Sequence, residues 1–261
     1  MIICSVLCLI GVISLIFYVR EKLRACSVKA LIIKAFVSVL FIAVGFCALW
    51  ANVSRAGFFV LGGLVCGILG DIWLDLKYIY PDDDTPFTFS GFVSFAVGHV
   101  LFISGMLLDF KAFVTPSALW ITAGLSLALG FATVLSGPLM KLNYGKFKGI
   151  SMLYGPLLFG TALIAFVLGR AAGFENTGLT MMCVGGLLFA LSDLVLSGTY
   201  FGVGRDRPVD IIANYAFTTA PSLPSPWLVS FSEKTQKARA ASSAARAFAV
   251  FTFSLQIPLL L

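Results

Sequence analysis

The stretch GILGDIWLDLKY, residues 67–78, places two aspartates inside an otherwise apolar run. Apolar residues surround it from about residue 57 to residue 80, and about 20 such residues suffice to cross the hydrocarbon core of a bilayer. An aspartate that faced lipid in such a helix would cost about 2.5–3.5 kcal/mol. Asp71 and Asp75 are therefore expected on a face that packs against other helices.

The rest of the chain shares this apolar character. It is 261 residues long, with 59% hydrophobic residues, 11% charged residues and a mean hydropathy of +1.01, whereas an average soluble domain is about 25% charged. Seven apolar runs are long enough to span a membrane, approximately 2–18, 30–50, 57–80, 89–108, 112–136, 149–169 and 178–201. We predict an all-α fold, a polytopic transmembrane helical bundle over residues 1–220, without a separate soluble domain.

The last part of the chain has a different pattern. An eighth apolar run begins at Val209 and stops at Ala220, because the prolines within residues 221–226 break a helix. Residues 221–261 form a basic stretch followed by an apolar tail of about 14 residues, which is marginal for spanning. We therefore predict seven full spans plus an incomplete eighth, with the tail in the cytosol.

The basic residues indicate the orientation of the bundle. Nine of them fall in the odd-numbered loops and three in the even-numbered loops, which places the odd loops in the cytosol and the N-terminus outside it. The first run lacks a preceding basic segment and an obvious cleavage site, so a retained signal anchor is expected. The net charge of +6 then reflects topology and anionic lipid heads, and no nucleic-acid partner is predicted.

Metal ligands are not apparent in the sequence. The six cysteines are scattered, mostly within apolar runs, and no pair has a typical metal-ligand spacing. The single histidine, His99, excludes a three-histidine zinc site. We predict no metal and no cofactor.

The predicted topology brings two carboxyl groups to a similar depth. Asp71 lies ten residues before Pro81 and Asp193 twelve residues before Arg205, in two spans that cross in the same direction. At about 100° per residue, each aspartate shares its helix face with small residues. Further polar residues expected in the cytosolic half or near mid-depth, and predicted to bind substrate, are Asp75, His99, Tyr154, Ser192, Asn214 and Tyr215.

Structural roles remain open for these residues. Asp71 is also a candidate ion-pair partner of Lys34, and Asp75 is expected to pair with Lys77 or to meet water near the headgroups. His99 is equally compatible with an interhelical hydrogen bond. Tyrosines such as Tyr154 and Tyr215 are frequent in the aromatic belts at membrane interfaces, and the aspartate run 82–84 is expected to be a solvated loop.

Three blocks of sequence resemble the YhhN/lysoplasmalogenase family. They are LGD at 69–71 followed by Leu74, GFVSFAVGHVLF at 91–102, and GGLLFALSDLVL at 185–196. The resemblance runs in order from about residue 57 to residue 217. It implies an eight-helix integral membrane enzyme that hydrolyses the vinyl-ether bond of lysoplasmalogens, with Asp71 and Asp193 as its functional aspartates. In a eukaryotic member the expected location is the endoplasmic reticulum.

The sequence departs from the family pattern after about Phe217, where the family continues into a complete last helix. Here TTAP at 218–221 and a Ser/Ala/basic tail follow instead. Our hypothesis is that the gene model reads through an intron or out of frame in this region. Peptides spanning Ala216–Arg239, detected in the native protein by mass spectrometry, would contradict it.

Hydrolysis of a vinyl ether requires proton transfer to carbon and stabilisation of the oxocarbenium ion that water then captures. Two carboxyl groups in a confined apolar site can supply both functions, because they do not readily ionise together. We assign Asp193 as the acid and Asp71 as the stabiliser and water-activating base. We expect His99 and Tyr154 to orient the substrate. The phosphate is expected to bind Lys146, Lys148 and Arg205.

The expected partner is a lysophospholipid in the bilayer, and a homodimer remains open. A proton-coupled transporter would use the same aspartates as proton carriers, although the absence of an evident inverted repeat argues against it. A non-catalytic membrane scaffold is a third alternative.

Overall fold

The computed structural model describes residues 2–22, 27–51 and 53–202. Seven long helices occupy most of these residues: α1 (Ile2–Lys22), α2 (Val28–Ala51), α3 (Arg55–Ile79), α4 (Asp84–Phe110), α5 (Pro116–Leu135), α6 (Lys148–Ala171) and α7 (Thr177–Phe201). Within the described ranges the only β-type pairing is an isolated bridge between Leu142 and Gly202. The predicted polytopic helical bundle is confirmed. The predicted incomplete eighth span and the tail 221–261 lie outside the described residues.

Each of the seven predicted apolar runs corresponds to one long helix. Six of these helices, α2 to α7, are long and apolar enough to cross a membrane, and α1 accounts for the first run. The largest difference in a boundary is at α4, which begins at Asp84 rather than near residue 89. The aspartate run 82–84 is exposed to solvent as predicted, but it is not a plain loop: it comprises the end of a 3-10 turn and the first residue of α4.

Side-chain caps define where α3, α5 and α7 begin. Ser54, Thr115 and Asn176 each accept a hydrogen bond from the backbone N–H three residues later, at 3.0, 3.4 and 3.2 Å. Such caps satisfy N–H groups that have no partner within the helix. Because successive helices run in alternate directions, all three caps lie at the same end of the bundle.

Small residues allow the central helices to approach closely. A Cβ atom at Gly63 would lie 2.4 Å from the Phe102 ring, and one at Gly70 would lie 2.7 Å from the Phe95 ring. The phenylalanines of α4 thus fill gaps left by the glycines of α3, and these two helices share the most extensive contact in the bundle. Gly186 of α7 likewise faces the backbone of Ala162 in α6, with 3.0 Å between its ideal Cβ position and Cα of Ala162.

The backbones of α5 and α6 meet where Gly130 faces Gly155 and Pro156. A Cβ atom at Gly130 would lie only 2.2 Å from the Pro156 nitrogen, and one at Gly155 would lie 3.0 Å from the Gly130 carbonyl oxygen. Because backbone atoms cannot rotate away as a side chain does, this crossing tolerates no side chain on either glycine.

The substitution Gly130→Ala should therefore force α5 and α6 apart and lower the free energy of unfolding by about 1–3 kcal/mol. Gly124→Ala is the matched control on the same helix, because a Cβ atom there meets nothing within 4 Å and alanine favours a helix over glycine. Thermal unfolding in detergent would compare the two variants. Equal midpoints would contradict the close crossing.

Candidate functional site

The antiparallel arrangement gathers the polar residues at one end of the bundle, where α1, α3, α5 and α7 finish and α2, α4 and α6 begin. We call this the polar end. Asp71 and Asp193 each lie eight residues before the last residue of their helices, which is about 12 Å along the axis. The two aspartates therefore lie at a similar depth, in agreement with the prediction from topology.

A small cavity, here called the inner pocket, lies between α4, α5, α6 and α7 near this end. It has a volume of about 80 Å³ and a mainly apolar lining. The residues that line it are Leu74, Thr88, Phe92, Phe95, Thr133, Val134, Tyr144, Ser151, Tyr154, Gly155, Leu158, Phe159, Asp193, Leu194, Leu196, Ser197, Tyr200 and Phe201. A carboxyl group in such surroundings is sparsely solvated, which is characteristic of functional acids.

The Tyr154 hydroxyl donates a hydrogen bond of 2.5 Å to Oδ2 of Asp193. Both residues are buried, with 7% and 9% of their surfaces exposed, and both line the inner pocket. Ser151 precedes Tyr154 by three residues, so it lies on the same face of α6. Its buried hydroxyl oxygen has no hydrogen-bond partner among the described residues. The pocket thus contains the hydrogen-bonded carboxyl group of Asp193 and the Ser151 hydroxyl, which has no described hydrogen-bond partner.

His99 supports this pair from outside the pocket lining. Its Nδ1 lies 2.9 Å from the Thr161 hydroxyl, which in turn donates to the Leu157 carbonyl oxygen. Since that hydroxyl has a single proton, Nδ1 is the donor to it. The imidazole also lies against the rings of Tyr154 and Phe189, with centroid distances of 5.6 and 5.0 Å. The histidine therefore forms the interhelical hydrogen bond considered above and also packs behind Tyr154.

Asp75 lies in a different environment from the one predicted. Its Oδ1 accepts a hydrogen bond of 2.8 Å from Lys22 Nζ, and its Oδ2 forms an ion pair of 3.1 Å with Lys34 Nζ without the geometry of a hydrogen bond. The aspartate is only 3% exposed, and both lysines are buried. The expected pairing with Lys77 or with headgroup water is wrong, because Asp75 forms its ion pairs with Lys22 of α1 and Lys34 of α2.

Asp71 lies one turn deeper in the same network. Its Oδ2 accepts a hydrogen bond of 3.3 Å from Ser38, and its backbone carbonyl accepts one of 3.1 Å from Lys34. Its Oδ1 has no hydrogen-bond partner among the described residues. The carboxyl group interacts electrostatically with Lys34, Asp75 and Asp193, but Asp71 does not line the inner pocket. The alternative of a Lys34–Asp71 ion pair is therefore only partly correct. Lys34 donates a hydrogen bond to the backbone carbonyl of Asp71 but forms its ion pair with Asp75.

The remaining predicted residues divide into three groups. Ser192 is buried beside Asp193 on α7 but does not line the inner pocket. Lys148 begins α6 and lines neither cavity described here. Three others, Arg205, Asn214 and Tyr215, lie outside the described residues.

A second and larger space, here called the outer cavity, continues from the inner pocket. It has a volume of about 410 Å³. Its lining consists of Lys77, Asp84, Thr88, Asn143, Tyr144, Gly145, Lys146, Phe147, Tyr200 and Phe201. Thr88, Tyr144, Tyr200 and Phe201 also line the inner pocket, so the two spaces adjoin.

The α5–α6 connection forms one wall of the outer cavity. The Asn143 N–H donates to the Phe201 carbonyl oxygen at 2.8 Å, and the Tyr144 and Phe201 rings lie 4.6 Å apart. Gly145 has φ of +46°, a left-handed conformation that favours glycine. These contacts fasten the connection to the end of α7.

Sequence reasoning missed Lys22 and Ser151 as components of this end, and it named Lys77 only as a partner of Asp75. Lys22 is buried at the end of α1. Asp75 is the signal for a buried cation, because a carboxylate within an apolar helix requires a counter-charge on a neighbouring helix. Ser151 and Lys77 had no comparable signal, since serine and a lysine near a helix end are common in membrane helices.

The fold and the site together define a polytopic helical membrane protein with an intramembrane acidic pocket. The sequence profile of the YhhN family matches residues 29–219, and the chain belongs to this family. The matched range includes α2 to α7 and both Asp71 and Asp193. No curated protein and no solved structure matches the chain.

Asp75→Asn tests the buried ion network. The change leaves two buried ammonium groups facing a neutral amide, so the free energy of unfolding should fall by about 3–5 kcal/mol. The matched control is Glu21→Gln, which breaks the Lys29–Glu21 pair of 3.0 Å whose lysine is exposed; pairs of this kind contribute about 0–1 kcal/mol. Thermal unfolding of both variants would show equal losses if the Asp75 network were not structural.

Proposed function

We propose that this protein is a lysoplasmalogenase-like hydrolase, which cleaves the vinyl-ether bond of a lysoplasmalogen. The products are a fatty aldehyde and glycerophosphocholine or glycerophosphoethanolamine. The observation that carries the proposal is the hydrogen-bonded Tyr154–Asp193 pair in a small, mainly apolar pocket. Membership of the YhhN family is consistent with a hydrolase.

Asp193 acts as the proton donor in this proposal. It transfers a proton to the vinyl carbon that is not bonded to oxygen, and the electrons of the double bond form the new C–H bond. The positive charge that results is shared by the other vinyl carbon and the ether oxygen. The Tyr154 hydroxyl orients the carboxyl group through its bond to Oδ2.

Water then completes the reaction. It attacks the charged carbon, loses a proton to the Asp193 carboxylate, and forms a hemiacetal. The hemiacetal then collapses: its C–O bond to the glycerol oxygen breaks, its O–H proton is transferred to that oxygen, and an aldehyde and a glycerol hydroxyl result. Because Asp193 regains its proton, one residue can serve as acid and then as base. This assignment moves the base role from Asp71, which does not line the pocket.

Asp71 is proposed to stabilise the oxocarbenium ion through space. Its interaction with Asp193 is the support for this role, because charges interact more strongly in an apolar interior than in water at the same distance. The neighbouring lysines partly offset its charge. Its contribution should therefore be smaller than that of Asp193.

The dimensions of the inner pocket fit the reacting group rather than the whole lipid. A water molecule takes about 30 Å³ of liquid volume, so 80 Å³ holds the vinyl-ether group and one attacking water. The alkenyl chain beyond these atoms must leave between the helices toward the lipid. Ser151, whose hydroxyl is buried without a described partner, is suited to hold the attacking water.

The cellular setting is proposed from the family and from the distribution of basic residues. We propose that in a eukaryotic cell the enzyme acts within the endoplasmic reticulum membrane, with its N-terminus on the non-cytosolic side, so that the polar end faces the cytosol. Asp75, Ser192, Asn214 and Tyr215 remain proposed contributors to substrate binding, and a homodimer remains a proposal.

Purified protein should release aldehyde from lysoplasmenylcholine or lysoplasmenylethanolamine. Asp193→Asn should lower kcat/KM by about 10²–10⁴-fold, the usual contribution of a general acid. Tyr154→Phe should cause a smaller loss, because the acid remains but is less well oriented. Asp109→Asn is the matched control, since this aspartate is exposed at the opposite end of the bundle.

The outcomes separate the proposed activity from its rivals. A transporter or a scaffold predicts no aldehyde from folded wild-type protein, and that result would exclude the hydrolase. Aldehyde release that is equal in Asp193→Asn and Asp109→Asn would keep the activity but remove Asp193 from the mechanism.

A further inference from the structure

The outer cavity has an unusual combination of charges for a surface near the end of a membrane span. Two lysines and one aspartate line it, Lys77, Lys146 and Asp84, together with four aromatic side chains. A cavity of about 410 Å³ lies within the size range of small-molecule sites. The proposed reaction centre lies in the adjoining pocket, which leaves this cavity without an assigned occupant.

Lys77 directs a cation toward the cavity without a fixed anionic partner. Its Nζ lies 3.1 Å from the centroid of the Tyr200 ring and 4.9 Å from that of Tyr78. It forms no ion pair with a carboxylate of the described residues. This differs from Lys22 and Lys34, which both form ion pairs with Asp75. The positive charge of Lys77 is therefore available to an anion that enters the cavity.

Lys146 provides a second cation at the outer side. It lies on the turn that begins at Gly145, where its Nζ donates to the Thr85 hydroxyl and is 3.6 Å from Oδ1 of Asp84. The lysine and the aspartate are both more than half exposed. A pair this exposed is weak, so each partner can instead contact a ligand of opposite charge.

Aromatic rings surround the same space. Phe201 lies 4.6 Å from Tyr144 and 6.2 Å from Phe147, measured between ring centroids. The hydroxyl of Tyr200 is buried at the boundary with the inner pocket and has no hydrogen-bond partner among the described residues. Ring faces attract alkylated ammonium groups, whereas a lone hydroxyl is suited to an oxygen of the ligand.

We propose that the outer cavity binds the zwitterionic phospho-base headgroup of the lipid whose vinyl ether reacts in the inner pocket. Lys77 and Lys146 bind the phosphate, because a lysine ammonium is a compact point charge for phosphate oxygens. Asp84 and the aromatic rings bind the choline or ethanolamine ammonium. The assignment of headgroup and vinyl ether to one molecule rests on the proposed function.

The continuity of the two spaces supports a single ligand. Four residues line both of them, Thr88, Tyr144, Tyr200 and Phe201. In a lysoplasmalogen, only the three carbons of glycerol separate the ether oxygen from the oxygen of the phosphodiester. A lipid with its vinyl ether at Asp193 would therefore place its phosphate just beyond the inner pocket.

Binding of a saturated 1-O-alkyl lysophosphocholine tests this site, because the analogue lacks the vinyl bond and cannot react. Isothermal titration with the full chain in detergent should show that Lys77→Met and Lys146→Met raise Kd at least about tenfold, the factor that corresponds to 1.4 kcal/mol. Lys77→Arg should retain most of the affinity. Lys111→Met is the matched control, since Lys111 is exposed in the turn after α4, at the opposite end.

Two further ligands separate the parts of the headgroup. A 1-O-alkyl glycerol, which has no phosphate, should bind wild type and Lys77→Met equally. A 1-O-alkyl lysophosphatidic acid, which has phosphate without ammonium, should be insensitive to Asp84→Asn, whereas the phosphocholine analogue should lose affinity. Inorganic phosphate should compete poorly, because it lacks the chain; displacement by phosphate at the affinity of the lipid would overturn a lipid-headgroup site.

The failures of the two proposals are distinguishable. If wild type binds the ether analogue through Lys77 but releases no aldehyde from lysoplasmenylcholine, the headgroup site stands and the proposed reaction fails. If wild type hydrolyses the substrate while Lys77→Met and Lys146→Met change neither KM nor the Kd of the analogue, the headgroup site is overturned and the reaction stands.

Discussion

The ion pairs from Lys22 and Lys34 to Asp75 are the contacts on which the rest of the site depends. An unpaired charge in hydrocarbon costs several kcal/mol. The ion pairs therefore hold α1 and α2 against α3. The position of α3 then determines that of α4, because the α4 phenylalanines fill the spaces over Gly63 and Gly70. One of the remaining rings of α4, Phe92, packs edge-on against Tyr154 at 5.5 Å, beside the inner pocket.

This arrangement gives the carboxyl groups of the polar end different chemical properties. Asp75 forms buried ion pairs with two lysines, so it contributes to folding. Asp71 shares one of these lysines and retains one free oxygen among the described contacts. Asp193 accepts a hydrogen bond from a neutral phenol, in a pocket large enough for a reacting group. Neighbouring groups, more than depth in the membrane, therefore distinguish the structural acid from the proposed reactive one.

The helices and the depth of Asp71 and Asp193 were predictable because apolar length and helical phase are local properties of the sequence. The lysine partners of Asp75 were not, because they come from residues 53 and 41 positions away and depend on how α1 and α2 pack. Hydropathy alone also began α4 too late, since Asp84 belongs to the first turn of the helix, where acidic residues are favourable. The outer cavity depends on the pairing of Asn143 with Phe201, which no sequence motif indicates.

The structural charge network on α3 is separate from the proposed reaction centre at Tyr154 and Asp193. A structure of the protein bound to a saturated 1-O-alkyl lysophosphocholine would test this separation most directly. We expect the ether oxygen and its neighbouring carbon to lie in the inner pocket, with the oxygen within hydrogen-bonding distance of the Tyr154–Asp193 pair. An ether group bound away from this pair, or beside Asp75 and Lys22, would contradict it.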